Sequence, residues 1–381
     1  MKVKKIKFNN HKVLKNLEVD FINERNEPLE IVVFIGDNGT GKTQLLKSIV
    51  DGIENAITKG FRIHGTQDGA EIVNKETTLF IDEIQDVAGF HKDWGGVFVK
   101  PSNKSFVVWM PAELDIEKGF QRIAHSSHFV EWASQWTLES VSEHIIKVIN
   151  EALYENQDKV SSKVIADKCR EFNDIFEILN LDIKLKGVSK ELPIFENSAG
   201  ETFNINDLSS GEKQLFFRLL SLKRLSFNNA IIIIDEPENS LHPDWQRKVI
   251  EVYKQIGENN QLIIATHSPF IVGSVPSESI RIMKKDSEGK IQVEQQDENN
   301  KTYGKNVDEI LEITMGLDSL RDEKTTKKFN RVLELLETNA YETPEYEKLM
   351  NELKKQLGTT DIDIMRIEMG KSVRMRRNVE N

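Results

Sequence analysis

The chain has very little cysteine and no long hydrophobic segment. Of its 381 residues only Cys169 is a cysteine, which excludes an intramolecular disulfide and a cysteine cluster for zinc. No apolar run approaches the roughly 20 residues that a transmembrane helix needs, and the basic start MKVKKIKF is not followed by the apolar core of a signal peptide. We therefore expect a cytoplasmic protein without membrane segments.

An excess of positive charge and long sequence periodicities are also lacking. The net charge of −11 argues against a protein that coats nucleic acid with its whole surface. No internal repeat, low-complexity tract or sustained run of heptads is present, which excludes a long coiled-coil arm. Two basic clusters keep local DNA contact open, although solvated strand faces and a mobile tail are the simpler interpretation. They comprise Lys2, Lys4, Lys5, Lys7, Lys12 and Lys15 near the start, and Lys371, Arg374, Arg376 and Arg377 near the end.

The segment IVVFIGDNGTGKTQLLKSIV joins an apolar run to a glycine-rich turn and then to an apolar pattern of helical period. Residues 31–35 predict a strand buried on both faces, and the later pattern predicts a helix. The apolar residues at helical spacing are Leu45, Leu46, Ile49, Val50 and Ile53. Strand, loop and helix in this order are the context in which a phosphate-binding loop is found.

The turn itself matches the spacing G-x-x-x-x-G-K-[ST] at Gly36, Gly39, Gly41, Lys42 and Thr43. Glycines allow successive backbone N–H groups to turn inward around a phosphate, and a helix N-terminus adds partial positive charge. Lys42 would then reach the β- and γ-phosphates, and the Thr43 hydroxyl would bind Mg²⁺. The sequence therefore predicts a nucleoside triphosphate site.

Paired carboxylates follow a second apolar run, in AIIIIDEPENSLHPDWQ. A buried strand would deliver Asp235 and Glu236 to the sheet edge where ligands bind in α/β proteins. There Asp235 would hold Mg²⁺ and Glu236 would orient or deprotonate the attacking water. The run TLFIDEIQD offers a rival pair, Asp82 and Glu83, which periodicity alone does not reject.

Two further segments decide in favour of the later pair. QLIIATHSPF predicts another buried strand, whose end carries Thr266 and His267 in a position to sense a γ-phosphate. DLSSGEKQLFF predicts a turn and a helix N-terminus that offer hydroxyl and N–H groups to an anion. Nothing comparable follows Asp82 closely.

Together these pieces resemble the ABC-type ATPases of the SMC, RecF and OLD kind. GDNGTGKT resembles Walker A, LSSGEKQ the ABC signature, IIIIDEPE Walker B, NSLHP the D-loop and THS the switch histidine. The resemblance implies ATP and Mg²⁺ as cofactors, with Glu236 as general base, His267 as γ-phosphate sensor, and Thr43 and Asp235 as metal ligands. It implies that nucleotide is bound by Gly36, Asn38, Gly39, Gly41, Lys42, Thr43 and Gln44, and by Ser209, Ser210 and Gly211. The Q-loop glutamine has two candidates, Gln85 and Gln121.

The resemblance also implies an α/β fold, an ABC-type P-loop ATPase head with a mixed sheet and antiparallel edge strands. We expect the ATPase core at residues 1–87 and 201–285, and a compact, mainly helical insertion at 88–200 whose helical pattern begins at SHFVEWASQW. A mostly helical extension is expected at 286–381. In such ATPases two heads pack head to tail, so that Ser210 and Gly211 of one subunit cap the γ-phosphate held by the other.

DEPENSLHPDWQ and YGKNVDEILEITMGLDSLR are similar to segments of ATPase subunits of bacterial anti-phage systems, such as the Septu and PARIS ATPases. This similarity implies a homodimer or higher oligomer that controls a separate effector, a nuclease or a toxin. DIDIM is the one near match to a Toprim nuclease motif and lies too near the end of the chain, so we expect no nuclease domain in it. The alternative is a RecF-like or SMC-like DNA-repair ATPase that clamps or loads partners on DNA; a transporter subunit fits less well.

Overall fold

The computed structural model describes two compact units, residues 1–310 and 311–381, apart from short gaps. The described residues are 2–59, 63–66, 69–73, 76–82, 90–91, 96–97, 107–110, 130–132, 138–209, 211–213, 215, 228–296, 301–317 and 319–380.

The described strands of the first unit are, in chain order, β1 (Val3–Phe8), β2 (Glu18–Asp20), β3 (Ile31–Gly36), β4 (Ile63–Thr66), β5 (Gly69–Val73), β6 (Thr77–Ile81), β7 (Phe90–His91), β8 (Gly96–Val97), β9 (Val107–Met110), β10 (Val130–Trp132), β11 (Ile183–Ser189), β12 (Leu192–Asn197), β13 (Thr202–Asn204), β14 (Ile231–Asp235), β15 (Gln261–Ala265), β16 (Ile280–Lys285) and β17 (Ile291–Gln295). The described helices are α1 (Lys42–Lys59), α2 (Leu138–Glu155), α3 (Ser161–Leu179), α4 (Pro243–Gln246), α5 (Val249–Lys254), α6 (Pro269–Val272), α7 (Val307–Glu309), α8 (Glu323–Glu337), α9 (Pro344–Leu357) and α10 (Ile362–Glu380). A π-helical turn, Ile310–Thr314, follows α7.

A seven-stranded mixed sheet forms the centre of the first unit, in the order β10-β9-β14-β15-β3-β16-β17. Every neighbouring pair is parallel except β16–β17, the antiparallel edge. The continuous apolar runs of β3, β14 and β15 are buried throughout, apart from Gly36 at the end of β3. Strands covered on both faces need such runs, so the predicted α/β ATPase fold with a mixed sheet is confirmed.

A second, antiparallel sheet has the order β2-β1-β6-β5-β4-β8-β7. Its inner residues, such as Ile6 and Leu79, share one hydrophobic cluster with the apolar face of α1 and with Val32 and Phe34 of β3. The predicted apolar positions of α1 are all buried: Leu45, Leu46, Ile49, Val50 and Ile53. Helix α1 thereby packs against both sheets, which fixes the loop that precedes it.

Two buried polar side chains tie the antiparallel strands to the mixed sheet. The Gln261 amide donates to the carbonyls of Val3 and Leu29 at 2.9 and 3.0 Å and accepts from the Val3 N–H at 2.6 Å. The Arg281 guanidinium donates to four backbone carbonyls, among them those of Asp20 at 2.9 Å and Ile22 at 3.2 Å. Because backbone groups satisfy both side chains, the cost of burying them is reduced.

The region assigned to a mainly helical insertion is more mixed than the sequence suggests. Helices α2 and α3 pack beside a three-stranded antiparallel sheet, β11-β12-β13, while β9 lies in the central sheet. The helical interpretation of SHFVEWASQW is wrong at residues 130–132, which form β10 in parallel register with β9. A short segment without a sustained period takes its structure from its neighbours, here the edge of the sheet. The division into core, insertion and extension stays a prediction.

The second unit contains α8, α9 and α10, which form their own hydrophobic cluster. Its N-terminal caps are local: the Asp322 carboxylate accepts from the N–H groups of Lys324 and Thr325, and Thr343 caps α9. The basic end of the chain is helical to Glu380 rather than a mobile tail, and the Lys371 ammonium lies 5.1 Å from the centre of the Tyr346 ring. Within the part of the chain that is described, no helix is both long and apolar enough to cross a membrane.

Candidate nucleotide site

The phosphate-binding loop, residues 36–43, runs from the end of β3 into the first turn of α1. Three of its glycines have positive φ: +143° at Gly36, +77° at Gly39 and +89° at Gly41. A Cβ at Gly36 would approach the Met283 carbonyl oxygen to 2.1 Å, and one at Gly41 would approach Leu14 Cδ2 to 2.8 Å. These two positions therefore exclude any side chain, and the loop can keep the backbone path that the motif needs.

Lys42 lies across this loop with its ammonium 2.7 Å from the Gly36 carbonyl and 3.1 Å from the Asp37 carbonyl. Only 7% of the residue is exposed. Burial lowers the pKa of Lys42, and the negative charges of Glu236, Asp235 and other nearby carboxylates oppose this shift. An ammonium held only by carbonyl oxygens among carboxylates is ready to exchange those oxygens for phosphate oxygens.

Thr43 and Asp235 meet directly, although they are far apart in the chain. The Thr43 hydroxyl donates to Asp235 Oδ2 at 2.8 Å. Asp235 is 4% exposed, and burial raises its pKa while the Thr43 hydrogen bond lowers it. Strands β3 and β14 are parallel members of one sheet, so their carboxyl ends lie at the same edge. The two residues predicted as Mg²⁺ ligands are thus brought together.

Glu236 follows Asp235 in a left-handed backbone conformation, with φ of +47°. Its N–H donates to the Ala265 carbonyl at 2.8 Å, which prolongs the pairing of β14 with β15 by one residue. A positive φ outside glycine is uncommon and clusters at functional sites, where the surroundings impose it. Among the nearby charges, that of Glu236 has the largest effect on the pKa of Lys42, larger than that of Asp235.

His267 follows β15 and is held through its backbone. Its N–H donates to Glu238 Oε1 at 2.6 Å. Burial and the charge of Lys42 lower the pKa of His267, and Glu236 and Asp37 oppose them. The net shift favours the neutral imidazole, which can donate one hydrogen bond to a phosphate oxygen and accept another.

Glu238 belongs to the site, and sequence analysis missed it. Its Oε1 accepts from the Thr266 hydroxyl at 2.7 Å as well as from His267, and burial raises its pKa. We call Asp235, Glu236 and Glu238 the acidic edge, and residues 266–268 the switch segment. The repeat of glutamate on both sides of Pro237 was the only signal in the sequence, and a second carboxylate in a turn is too common to single out.

The signature residues contact their own helix and the D-loop. The Ser209 hydroxyl and N–H both donate to Glu212 Oε2, at 2.6 and 2.8 Å, which is the reciprocal capping arrangement of a helix N-terminus. A Cβ at Gly211 would approach the Ser240 carbonyl oxygen to 2.4 Å, so the D-loop packs against this turn. Ser210 lies outside the described residues. A contact of Ser209, Ser210 and Gly211 with nucleotide stays a prediction.

The remaining predicted residues have simpler outcomes. Asn38, within the loop, and Gln44, in the first turn of α1, are both exposed. The rival Asp82 follows β6 of the antiparallel sheet, and its carboxylate accepts from the Lys2 N–H. Glu83 and the two Q-loop candidates, Gln85 and Gln121, lie outside the described residues.

The residues at this edge fit a magnesium nucleotide. The three glycines with positive φ allow the loop backbone to turn its N–H groups toward a phosphate, and the Thr43–Asp235 pair offers a hydroxyl and a carboxylate oxygen, the hard ligands that Mg²⁺ prefers. Among the described residues no group of three or more His, Cys, Asp or Glu side chains could hold a metal by itself.

Parts of the chain are similar to known proteins. A family model described as "AAA domain, putative AbiEii toxin, Type IV TA system" matches residues 100–273, which include the acidic edge and the switch segment. The Septu protein PtuA of Bacillus thuringiensis is 26% identical over 361 residues, covering 84% of this chain and 85% of that protein. The retron Vc95 probable ATPase of Vibrio cholerae serotype O1 biovar El Tor is 32% identical over 127 residues, covering 32% of this chain and 25% of that one. The SMC head domain from Thermotoga maritima covers 78% of this chain and all of its own, with 14% identity and a TM-score of 0.40.

Proposed function

We propose that the chain is an ABC-type ATPase of the SMC-like and OLD-like class, of the kind found in anti-phage defence systems, and that it uses ATP to switch a separate effector. The observation that carries this proposal is the hydrogen bond between Thr43 and Asp235. It joins the phosphate-binding loop to the acidic edge. Hydrogen-bond donors for phosphate, two ligands for a magnesium ion and a second carboxylate therefore meet at one place. Such an arrangement can bind a triphosphate and hydrolyse its terminal phosphate.

In the proposed reaction the loop N–H groups and Lys42 bind the phosphates of ATP. Thr43 and Asp235 would hold Mg²⁺, which would supply positive charge close to the phosphoryl oxygens. Glu236 orients the attacking water and accepts its proton, and His267 donates a hydrogen bond at the γ-phosphate. Because the acidic edge and the switch segment follow β14 and β15 at the same edge of the sheet as the loop, loss of the γ-phosphate would change contacts on both.

The switch itself is proposed to be head-to-tail dimerisation, with Ser209, Ser210 and Gly211 of one subunit closing the nucleotide site of the other. Ligand binding shifts an equilibrium only by its difference in affinity for the two states, and contacts made solely in the closed dimer supply that difference. The D-loop supports this arrangement, since Ser240 packs against Gly211 and so connects the signature turn to the acidic edge of the same chain.

The partner is proposed to be an effector protein with destructive activity, such as a nuclease or a toxin. This proposal is supported by the similarity to the Septu protein PtuA along most of both chains and to a retron ATPase over a shorter stretch. The assembly can be tested without knowing the effector, because a hydrolysis-deficient ATPase should accumulate in its closed state.

The test is to purify Glu236→Gln protein with ATP and Mg²⁺ from its native cell, size the particle and identify its components by mass spectrometry. We expect a dimer or larger oligomer that carries a nuclease or toxin, and the same particle should not form with Glu236→Gln/Ser210→Arg, which blocks the signature. A monomer in both cases, with ATP bound, would contradict the dimerisation switch. Recovery of repair proteins would instead support the DNA-repair alternative.

The contacts of the first basic cluster argue against direct DNA binding by that cluster. Lys5 pairs with Glu18 and Asp20 at 2.6 and 3.0 Å, and Lys7 pairs with Glu18 at 3.0 Å, so these charges are partly neutralised on the sheet surface. A second proposal is that the helical basic segment that contains Lys371 and Arg374 contacts DNA phosphates. We then expect DNA binding that weakens steeply with salt and with the substitution Arg374→Glu.

A further inference from the structure

The loops that follow β14 and β15 are joined through one carboxylate oxygen. Glu238 Oε1 accepts from the Thr266 hydroxyl at 2.7 Å and from the His267 N–H at 2.6 Å. One donor is a side chain and the other is the backbone of the predicted γ-phosphate sensor. A carboxylate that accepts two hydrogen bonds at these distances restrains both donors more firmly than a neutral acceptor would.

The same contacts continue into a closed ring of hydrogen bonds. The Thr266 hydroxyl accepts from the Ser268 N–H at 2.9 Å, and the Ser268 hydroxyl lies 2.6 Å from Gln246 Oε1. The Gln246 amide then donates to the Leu241 carbonyl at 2.9 Å, which returns the ring to the loop after β14. The switch segment is therefore fixed at Thr266, at the His267 backbone and at Ser268, which leaves the imidazole as its adjustable part.

Glu238 is a costly residue for a purely structural contact. Its Oε2 is inaccessible to solvent and finds no hydrogen-bond partner among the residues that the structure describes. A buried carboxylate with one oxygen unsatisfied costs more free energy than a neutral acceptor in the same place. The Glu238 carboxylate is thus buried at a cost in free energy, and its hydrogen bonds to Thr266 and His267 both hold the switch segment. Residues that hold a reactive group in place have these features.

We propose that Glu238 is a positioning residue, which sets the place of the His267 imidazole at the γ-phosphate by fixing its backbone N–H. The inference rests on the proposed ATPase reaction and adds a residue to it. Glu238 acts through His267 and does not itself contact ATP. It also connects hydrolysis to the D-loop, because residues 238–241 carry both ends of the hydrogen-bonded ring.

The test is single-turnover and steady-state ATP hydrolysis by wild type, Glu238→Gln, Glu238→Ala, His267→Ala and the double variant Glu238→Ala/His267→Ala. Glutamine keeps an oxygen for both donors, so we expect its kcat to stay within about threefold of wild type. Alanine releases the switch segment, and kcat should fall by about 10- to 100-fold with KM for ATP changed less than about twofold. In the His267→Ala background the Glu238→Ala substitution should add less than about a twofold loss, because the two residues act as one unit.

Two results would overturn the inference while the ATPase proposal stands: equal losses in Glu238→Gln and Glu238→Ala, or losses that multiply in the double variant. Absence of ATP hydrolysis by wild type would instead overturn the proposed function and the inference with it. If Glu238→Ala does not fold, Thr266→Val removes one of the two donors with little change in shape. We then expect a several-fold loss of kcat that disappears in the His267→Ala background, and a loss that persists there counts against the inference.

Discussion

The phosphate-binding loop and the acidic edge with its switch segment hold their functional groups by different means. In the loop the groups are backbone N–H donors and one lysine, and their geometry follows from three glycines with positive φ. In the acidic edge they are carboxylates, which hydrogen bonds such as Glu238–Thr266 keep in place across two strands. The loop is therefore suited to binding phosphates, and the acidic edge to acting on one of them.

The largest effect should come from Lys42→Ala, which tests whether the loop governs affinity. Lys42 is the buried cation of the loop, and the loss of two charge-assisted bonds to phosphate should weaken ATP binding by on the order of 10²-fold or more. Titration with a fluorescent ATP analogue measures this. Lys47→Ala, an exposed lysine on the same helix, is the matched control and should bind normally. Wild-type affinity in Lys42→Ala would remove the phosphate-binding assignment.

Glu236→Gln tests whether the acidic edge governs turnover instead. Loss of the general base should slow single-turnover hydrolysis by on the order of 10²-fold, with ATP affinity unchanged within about twofold. Weaker ATP binding with an unchanged rate of hydrolysis would contradict the view that the acidic edge governs turnover. In that case a group other than Glu236 would be the general base.

Gly36→Ala and Gly39→Ala sharpen the comparison on the side of the loop. Both positions have positive φ, but only at Gly36 would a methyl group collide with backbone, the Met283 carbonyl oxygen at 2.1 Å. At Gly39 the nearest atom is the flexible end of Lys285, at 3.4 Å. We expect Gly39→Ala to lower the free energy of unfolding by about 1 kcal/mol and Gly36→Ala by at least about 3 kcal/mol. Chemical unfolding measures both, and equal losses would show that backbone strain alone decides.

The smallest effect should be a pH-dependent gain in stability when the buried charge of Glu238, in the acidic edge, is removed. Burial raises the pKa of Glu238, so the folded protein keeps this proton to higher pH than the unfolded chain does. Stability therefore falls as pH rises from the ordinary glutamate pKa through the raised one. Glu238→Gln should increase the thermal midpoint by a few degrees at pH 7 and by less near pH 4. Asp322→Asn is the control of opposite sign, since the cap it forms lowers the pKa of Asp322 and its loss should destabilise at pH 7. A gain from Glu238→Gln that does not depend on pH would contradict this account.

The loop, the helix that follows it and the strand before Asp235 could be predicted because their signals are local. The helical spacing from Leu45 to Ile53 and the apolar run before Asp235 each lie within one element, and both elements are found as expected. β10 was mistaken for helix because its three residues take their conformation from pairing with β9. Glu238 was missed because its importance depends on Thr266 and His267, which lie 28 and 29 residues away.

The sequence by itself determined a phosphate-binding loop between a buried strand and a helix, and a pair of carboxylates at the end of another buried strand. These follow from side-chain period, from the freedom of glycine and from the charge of each residue, which are properties of short segments. Only the tertiary structure showed that Asp235 meets Thr43 at one edge of the sheet, and that Glu238 holds the switch segment. Those outcomes depend on strand order, because parallel neighbours bring distant residues to one edge, and no local pattern records which strands are neighbours.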